Sequence, residues 1–427
     1  MLTVQGSKLF KDGQPFFYQA DTCWSAFTNA TEEEWHYYLD YRKQQGFNVI
    51  QIDLLRQWDA STSILDAQPF PMTGDRHQYR YDFDTLNDTY FDRVERMLQA
   101  VADHDMTPAL VLLWSNYVPG TWPKQFSKNN HMTIDQVQHY VDIVTRRYRK
   151  FNPIYFISGD TDFPSSAIPY YEAVLTTLKQ NDPDALTTCH IQGKLETIPD
   201  TLLANLDFFS YQTGHETDND AFAYQIPLKL RKNGYLGPII DTEPTYEQIA
   251  ISGEQMYQTR TSARNVRRQA WSAVLSGADA GITYGAHGIW MWQRYGEHFG
   301  FGGDDGFDQP ADWRDALHFP GANDIHLLAQ LIKTQFPDGL QPVPVQLKHT
   351  DALRVAKSNS AKHYAVYLPS NTEINLNQIA PSLTHANVQA LDLANRVTYN
   401  ALVKADGTVS MSPAQADVLL LIDQVES

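Results

Sequence analysis

The sequence predicts an α/β fold, a (β/α)8 barrel over residues 1–340 followed by a small C-terminal β-sandwich over residues 341–427. Two observations carry this reading. Eight short apolar runs alternate with stretches of helical period over roughly 300 residues, as strand-helix units of a barrel do. From about Gln341 the helical period stops, and short strands separated by turn signals take its place. A doubly wound open sheet is the weaker alternative, because no GxGxxG follows the first run as a dinucleotide fold requires.

The first four runs are "FFYQADTCW" (16–24), "FNVIQIDLL" (47–55), "TPALVLLW" (107–114) and "PIYFISGD" (153–160). The second four are "ALTTCHIQG" (185–193), "LDFFSYQTG" (206–214), "GPIIDTEP" (237–244) and "AGITYGAHGIWMW" (280–292). Between them, "TEEEWHYYLDYRKQQG" places Thr31 as a cap, acids in its first turn and bases near its end, and stops at Gly46. "DTYFDRVERMLQAVADHD", "TIDQVQHYVDIVTRRYRKF", "YYEAVLTTLKQND" and "TSARNVRRQAWSAVLSGA" share the helical pattern, and "ANDIHLLAQLIKTQF" reads as the last barrel helix. The tail then supplies "RVAKS", "HYAVYLP", "NVQALDLAN", "DGTVSMS" and "DVLLLID" as strands, with Asp406-Gly407 as a hairpin dipeptide. No low-complexity linker separates the two parts, so they are expected to pack together.

Composition narrows the function. Lys and Arg number 33 against 50 for Asp and Glu, a formal charge of -17, which argues against a surface that tracks nucleic-acid phosphates. Cys23 and Cys189 are too few for a disulfide framework and fit a reducing compartment. No apolar run reaches the roughly 18 residues of a membrane span, and the opening residues lack the apolar centre of a signal peptide. The expectation is a soluble, cytoplasmic protein, monomer or homo-oligomer, with a partner that is neutral or small.

In a barrel the site lies at the carboxyl ends of the strands, so the polar residues that finish each run are the informative ones. They are Asp21 and Trp24 after the first run, Gln51 and Asp53 on the second, Trp114 on the third and Asp160 on the fourth. His190 and Gln192 follow on the fifth, and Tyr211, Gln212 and His215 on the sixth. Asp241 and Glu243 stand on the seventh, and Tyr284, His287, Trp290 and Trp292 on the eighth. Acids among aromatic rings describe a carbohydrate cleft, since Trp and Tyr faces stack on sugars. Cleavage of a glycosidic bond needs one carboxylic acid for the leaving oxygen and one carboxylate for the anomeric carbon. Asp160 and Glu243 are the expected pair. A gap of about 5–5.5 Å between them gives retention of configuration and one above about 6.5 Å inversion.

Plainer roles compete for each residue. Asp160 is either the acid or a helix cap; Glu243 is either catalytic or paired with Arg264 or Arg267. Asp241 either tunes Glu243 or belongs to a buried ion pair, and Asp21 either binds sugar hydroxyls or braces the first strand. His215 and His287 are hydroxyl donors or structural histidines, and Met291 is core. Gly300 to Gly306, "GFGGDDG", reads as a loop over the cleft mouth. HExxH, CxxC, Walker and GxSxG patterns are missing, and convergence of Asp21, His190, His215 and Asp241 on a metal is a minor alternative without local ligand spacing. The reading calls for no cofactor and no metal.

Taken together, "QPFFYQADTCWSAF", "FNVIQ", "ISGDTDF", "IIDTEPTYE", "GITYGAHGIWMW" and "QADVLLLID" resemble the apiosidase-like glycoside hydrolases, the DUF4038 group that includes glycoside hydrolase family 140. The resemblance spans nearly the whole chain. It implies a (β/α)8 barrel joined to a β-sandwich once described as collagen-binding, and exo-acting, retaining β-apiosidase activity. It also implies that Asp160 matches the acid/base aspartate of the family's "GGD" and Glu243 the nucleophile of its "D-x-E-P". The chain departs at "ADTCW" and "SGDTDF", where the family often reads "GDTAW" and "GGDRN". Those changes put apiose itself in question, so the expected sugar is apiose-like or another pentose or deoxysugar, and the expected cytoplasmic setting points to a small plant-derived glycoside or oligosaccharide as substrate. A non-catalytic carbohydrate-binding protein on a degenerate barrel is the alternative.

Overall fold

Each of the eight apolar runs contains a strand: β1 (Tyr18–Thr22), β2 (Val49–Asp53), β3 (Thr107–Val111), β4 (Ile154–Phe156), β5 (Thr187–Thr188), β6 (Phe209–Tyr211), β7 (Ile239–Asp241) and β8 (Gly281–Tyr284). All pair in parallel, in the order β5-β4-β3-β2-β1-β8-β7-β6, so the sheet curls into a nearly closed barrel. The computed structural model of the protein describes residues 1–427 except 63, 64, 66, 75–78, 126–129, 216–218, 252–258, 300–307, 346–351, 384, 385, 415 and 425–427. The expected loop at 300–306 lies outside the described residues.

The seam between β5 and β6 is closed by hydroxyls more than by a ladder. Asp207 N donates to Thr187 O at 2.9 Å. Thr188 Oγ1 donates to Phe208 O at 2.9 Å, and Ser210 Oγ donates to Cys189 O. The crossover here carries only the single helical turn Asp200–Leu203.

Helices α1 (Glu32–Gln44), α2 (Asp88–Asp103), α3 (Ile134–Tyr148), α4 (Ile168–Asn181), α5 (Phe222–Lys232), α6 (Ala263–Val274) and α7 (Gly321–Gln335) cover the outside. Helix α1 starts where the sequence says it should. Thr31 Oγ1 accepts Glu34 N–H at 3.2 Å while Glu34 Oε2 accepts Thr31 N–H at 3.0 Å, a reciprocal capping box. Helix α3 repeats the device with Thr133 and Gln136. Helix α2 buries Tyr90, Phe91, Val94, Met97, Leu98 and Val101 on one stripe, each worth roughly 1.5–3 kcal/mol of burial. Helix α5 carries little sequence signal of its own, because Pro227 interrupts a short, weakly patterned segment.

A three-stranded antiparallel sheet at Leu2–Gln5, Lys8–Lys11 and Gln14–Phe16 precedes the barrel and was also not anticipated. Its second turn is Asp12-Gly13 with φ of 52° and 77°, the positive values a two-residue hairpin demands.

After α7 comes a six-stranded antiparallel sheet in the order Leu340–Pro342, Arg354–Ser358, His363–Leu368, Val418–Asp423, Asn387–Asp392, Val397–Asn400. Its residues alternate between two cores. Ala356, Ala365, Tyr367, Leu391 and Leu419 join the barrel's core. Val355, Tyr364, Val366, Val388, Leu420 and Ile422 form a separate one under the two-stranded ribbon Ile374–Asn375/Thr408–Val409. The second layer of the sandwich is thus this small ribbon. Arg267 of α6 fastens the sheet to the barrel, reaching Asp417 at 2.7 and 2.9 Å and Asp324 at 2.9 Å, with all three side chains buried. Among the described residues no helix is long and apolar enough to cross a membrane.

Candidate active site

A cleft of about 310 Å³ opens at the carboxyl ends of the strands, where a barrel gathers side chains from several strands. Trp24, Trp114, Trp290 and Tyr246 supply aromatic walls, Gln192 and Gln212 polar ones, and Asp160 and Glu243 face the same space. Beyond the strand ends, the loop after β2 contributes Gln57, Trp58 and Asp59, and Trp122 enters from the loop after β3.

The "SGD" after β4 is built for its place. A Cβ on Gly159 would lie 2.3 Å from Trp114 Cε3, so only glycine lets that indole rest on the backbone. Asp160 then takes φ of 46°, a left-handed conformation unusual for a residue with a side chain. Two side chains grip it: its N–H donates to His190 Nδ1 at 2.9 Å, and its carbonyl accepts the Trp122 indole N–H at 2.8 Å.

Glu243 follows β7, held by its carbonyl to Gly214 N at 3.1 Å and kept from turning helical by Pro244. Its carboxylate sits between two imidazoles. His215 Nε2 lies 3.1 Å from Oε1, and His190 Nε2 lies 2.8 Å from Oε2 in a short contact whose N–H is bent off the hydrogen-bond line. Both rings receive a backbone N–H at Nδ1, from Asp160 for His190 and from Tyr246 at 3.3 Å for His215. An N–H aimed at a nitrogen needs a lone pair there, so each ring carries its proton on Nε2, toward Glu243.

The two carboxyls are pushed in opposite directions. Burial opposes the charge on Glu243, but the Nε2 edges of His190 and His215 that face its carboxylate outweigh it and bring the group to about 2. Asp160 is raised to about 7, first by burial and second by the Glu243 charge. One group is ionised and the other protonated near neutral pH, the division of labour that general-acid and nucleophilic chemistry needs.

A sequence model of the apiosidase-like catalytic domain matches residues 5–337. The chain belongs to the apiosidase-like family. As a member it is a glycoside hydrolase, an enzyme acting on carbohydrate. Solved structures share the fold. A glycoside hydrolase aligns at 22% identity and a TM-score of 0.79, covering 100% of this chain and 97% of that one. A family 5 glycoside hydrolase from Bacteroides vulgatus ATCC 8482 aligns at 23% identity and 0.80, covering 99% and 93%. A family 27 β-L-arabinopyranosidase from Geobacillus stearothermophilus aligns at 11% and 0.55, covering 95% and 96%. No curated protein matches.

In this apiosidase-like chain the cleft brings together Trp24, Trp114, Asp160, Gln192, Gln212, His215, Glu243 and Trp290 of the expected set. The others stand off it. Asp21 and Tyr284 are register partners on β1 and β8, and both point outward to the helices. Asp21 binds Arg42 Nε and Tyr38 OH, each at 2.6 Å, while the Tyr284 hydroxyl donates to Glu247 at 2.8 Å. Tyr211 likewise points out, its hydroxyl donating to Ala223 O at 2.8 Å. Strand alternation sends these three away from the mouth; a rule that takes every polar strand end ignores that alternation.

Gln51 points inward but lower, filling the barrel floor among Tyr18, Thr22, Thr242 and Thr283. Asp53 is buried and accepts the Leu55 N–H, and burial pushes its carboxyl well above the usual range. His287 lies behind Trp290 and meets Asp308 O at 3.0 Å; burial drops it to about 3. Trp292 stacks on Trp313 with centroids 4.8 Å apart. Asp241 turns to Thr213, accepting from its hydroxyl and, at 3.3 Å, its amide. The minor metal alternative loses Asp21 and Asp241 by these placements, and among the described residues no group of three or more ligating side chains is gathered.

The plainer readings of the acids also find other owners. Arg264 reaches Pro369 O and Arg267 reaches Asp417 and Asp324, and α4 begins at Ala167 without a side-chain cap. The sequence reading did not select Trp58, Asp59, Trp122 or Tyr246. Tyr246, whose hydroxyl accepts the Trp24 indole N–H at 2.9 Å, was within reach three residues after Glu243. The loop residues carry no periodic signal. His190 was noted at its strand end, but its double contact becomes visible only in three dimensions.

Proposed function

We propose that this glycosidase is a retaining exo-hydrolase that releases a terminal apiose-like sugar, or another pentose or deoxysugar, from small plant-derived glycosides. Glu243 is the nucleophile and Asp160 the general acid/base. The observation that carries the reading is the opposite ionisation of two carboxyls on one cleft, about 2 for Glu243 and about 7 for Asp160. In the first step Glu243 attacks the anomeric carbon, the glycosidic C–O bond breaks, and Asp160 gives its proton to the departing oxygen. The resulting glycosyl ester removes the Glu243 charge, which is the second cause of Asp160's elevation, so Asp160 becomes the base that takes a proton from water. That water attacks the same carbon, the ester bond breaks, and the sugar leaves with its configuration retained.

Two features support the smaller-substrate and exo reading. The cleft holds about 310 Å³, the lower end of the range for small-ligand sites. Trp24, Trp58, Trp114, Trp122 and Trp290 wall it on several sides. The test is a panel of p-nitrophenyl glycosides, namely apioside, arabinofuranoside, xyloside, rhamnoside and glucoside, run with the parent protein and Glu243→Gln. Activity on one of them that disappears in the variant, with the first product retaining its anomeric configuration by NMR, is the expected result. An inverted product refutes the mechanism; sugar binding without turnover in the parent moves the protein to the non-catalytic alternative.

A further inference from the structure

We infer that His190 is a positioning residue that sets both carboxylates at once, its Nδ1 edge holding the backbone of Asp160 and its Nε2 edge facing Glu243. The inference rests on the two-carboxylate reading above and adds a device to it. One planar ring carries a contact of 2.9 Å to the Asp160 amide on one edge and of 2.8 Å to Glu243 Oε2 on the other.

The ring has little freedom. It is fully buried, stacked on Trp114 with centroids 5.5 Å apart, and met edge-on by Trp24 at 5.2 Å and Phe156 at 6.2 Å. Its own backbone is pinned on both sides by Ser158, whose carbonyl accepts His190 N–H at 3.2 Å and whose hydroxyl donates to His190 O at 3.0 Å. A rigid ring transmits position, and Asp160 needs it. A left-handed aspartate relaxes to negative φ unless its neighbours over-determine it, and that rotation would swing its carboxyl off the cleft. The other ring at the site does a narrower job: His215 reaches Glu243 and the Tyr246 amide, both carried by the segment after β7. Only through His190 do β4 and β7, which deliver the acid and the nucleophile, share one side chain among the described contacts.

Two substitutions separate the two edges. An asparagine amide reaches about where Nδ1 lies, and a glutamine amide about where Nε2 lies. His190→Asn therefore keeps the acceptor for Asp160 and loses the donor toward Glu243, and His190→Gln does the reverse. The assay is kcat/KM on two aryl glycosides of the sugar found by the panel. A 2,4-dinitrophenolate departs without an acid, whereas phenol requires one. His190→Gln should stay within about threefold of the parent on the dinitrophenyl substrate and fall about a hundredfold on the phenyl one. His190→Asn should fall by about tenfold or more on both, by similar factors. Partial unfolding scales both substrates alike and cannot create the split. Equal losses in both variants, or none, overturn the inference.

A readout independent of turnover tells failure of this inference from failure of the glycosidase reading. In 15N-histidine-labelled parent protein, the ring assigned by its disappearance in His190→Gln should show an unprotonated Nδ1 and a protonated Nε2. A proton on Nδ1 overturns the inference even in an active enzyme; the expected tautomer in a protein inactive on every glycoside sustains the clamp and rejects the reaction.

Discussion

Raising the pH through about 7 should switch this enzyme off by taking one proton from Asp160. Burial, then the Glu243 charge, lift that carboxyl from 3.8 to about 7, which amounts to about 4 kcal/mol of preference for the neutral form. Only the neutral form can protonate a leaving oxygen. For a phenyl glycoside kcat/KM should therefore fall about tenfold for each pH above 7, and the loss should reverse on return to pH 6. For a 2,4-dinitrophenyl glycoside, which asks nothing of the acid, it should stay within about twofold up to pH 9. Asp160→Asn should flatten the phenyl profile at a level about 10²–10⁴ lower, and azide should restore turnover of the dinitrophenyl substrate by Asp160→Ala by attacking the ester in place of water. Glu243 sets no limb in this range, because its histidines hold it at about 2. A phenyl profile flat through pH 9, or an alkaline limb near 7 that survives in Asp160→Asn, would refute the assignment.

Three further outcomes follow from the packing. Asp241 is raised from 3.8 to about 7, chiefly by burial. Between those values the unfolded chain has lost a proton that the folded chain keeps, so stability falls as pH rises, by at most about 1.4 kcal/mol per pH. Asp241→Asn removes that slope, and its melting temperature should gain on the parent's between pH 4 and pH 8; parallel curves count against the argument. Asp417→Ala leaves Arg267 without its bidentate partner in a buried setting. It should cost about 3–5 kcal/mol in denaturant melts while the folded fraction keeps its kcat. Gly159→Ala forces a methyl to within 2.3 Å of the Trp114 ring, so a loss of about 1–3 kcal/mol and a matching loss of activity are expected, and an unchanged enzyme would contradict the packing.

Much of the barrel was legible because its signals are local and redundant. Thr31 and Glu34 announce α1 by capping chemistry alone, and the eight apolar runs each hold a strand. The N-terminal sheet was missed although Asp12-Gly13 carried its turn signal, because its strands are short and only half apolar. At the cleft the sequence marks which strand ends carry polar and aromatic residues but not which way each side chain turns. Asp21 and Tyr284 look like cleft residues in the sequence and are helix-facing by alternation. Glu243 stands out in the sequence because Pro244 and the strand end coincide there. His190 shows the other limit: its significance lies in two edges of one ring meeting residues 30 and 53 positions away, and nothing in a linear pattern records that.

The hydroxyl-stitched seam between β5 and β6 separates the strands that carry the two imidazoles, His190 on one bank and His215 on the other. Elsewhere adjacent strands are zipped by backbone ladders; here a few side-chain stitches and two amides, those of Asp207 and Thr187, hold the banks together. Heat or denaturant should part the barrel along this line first, and the first thing to slip is the grip on Glu243. Turnover would then fade while the helices are still intact, making catalysis itself the earliest thermometer of the fold.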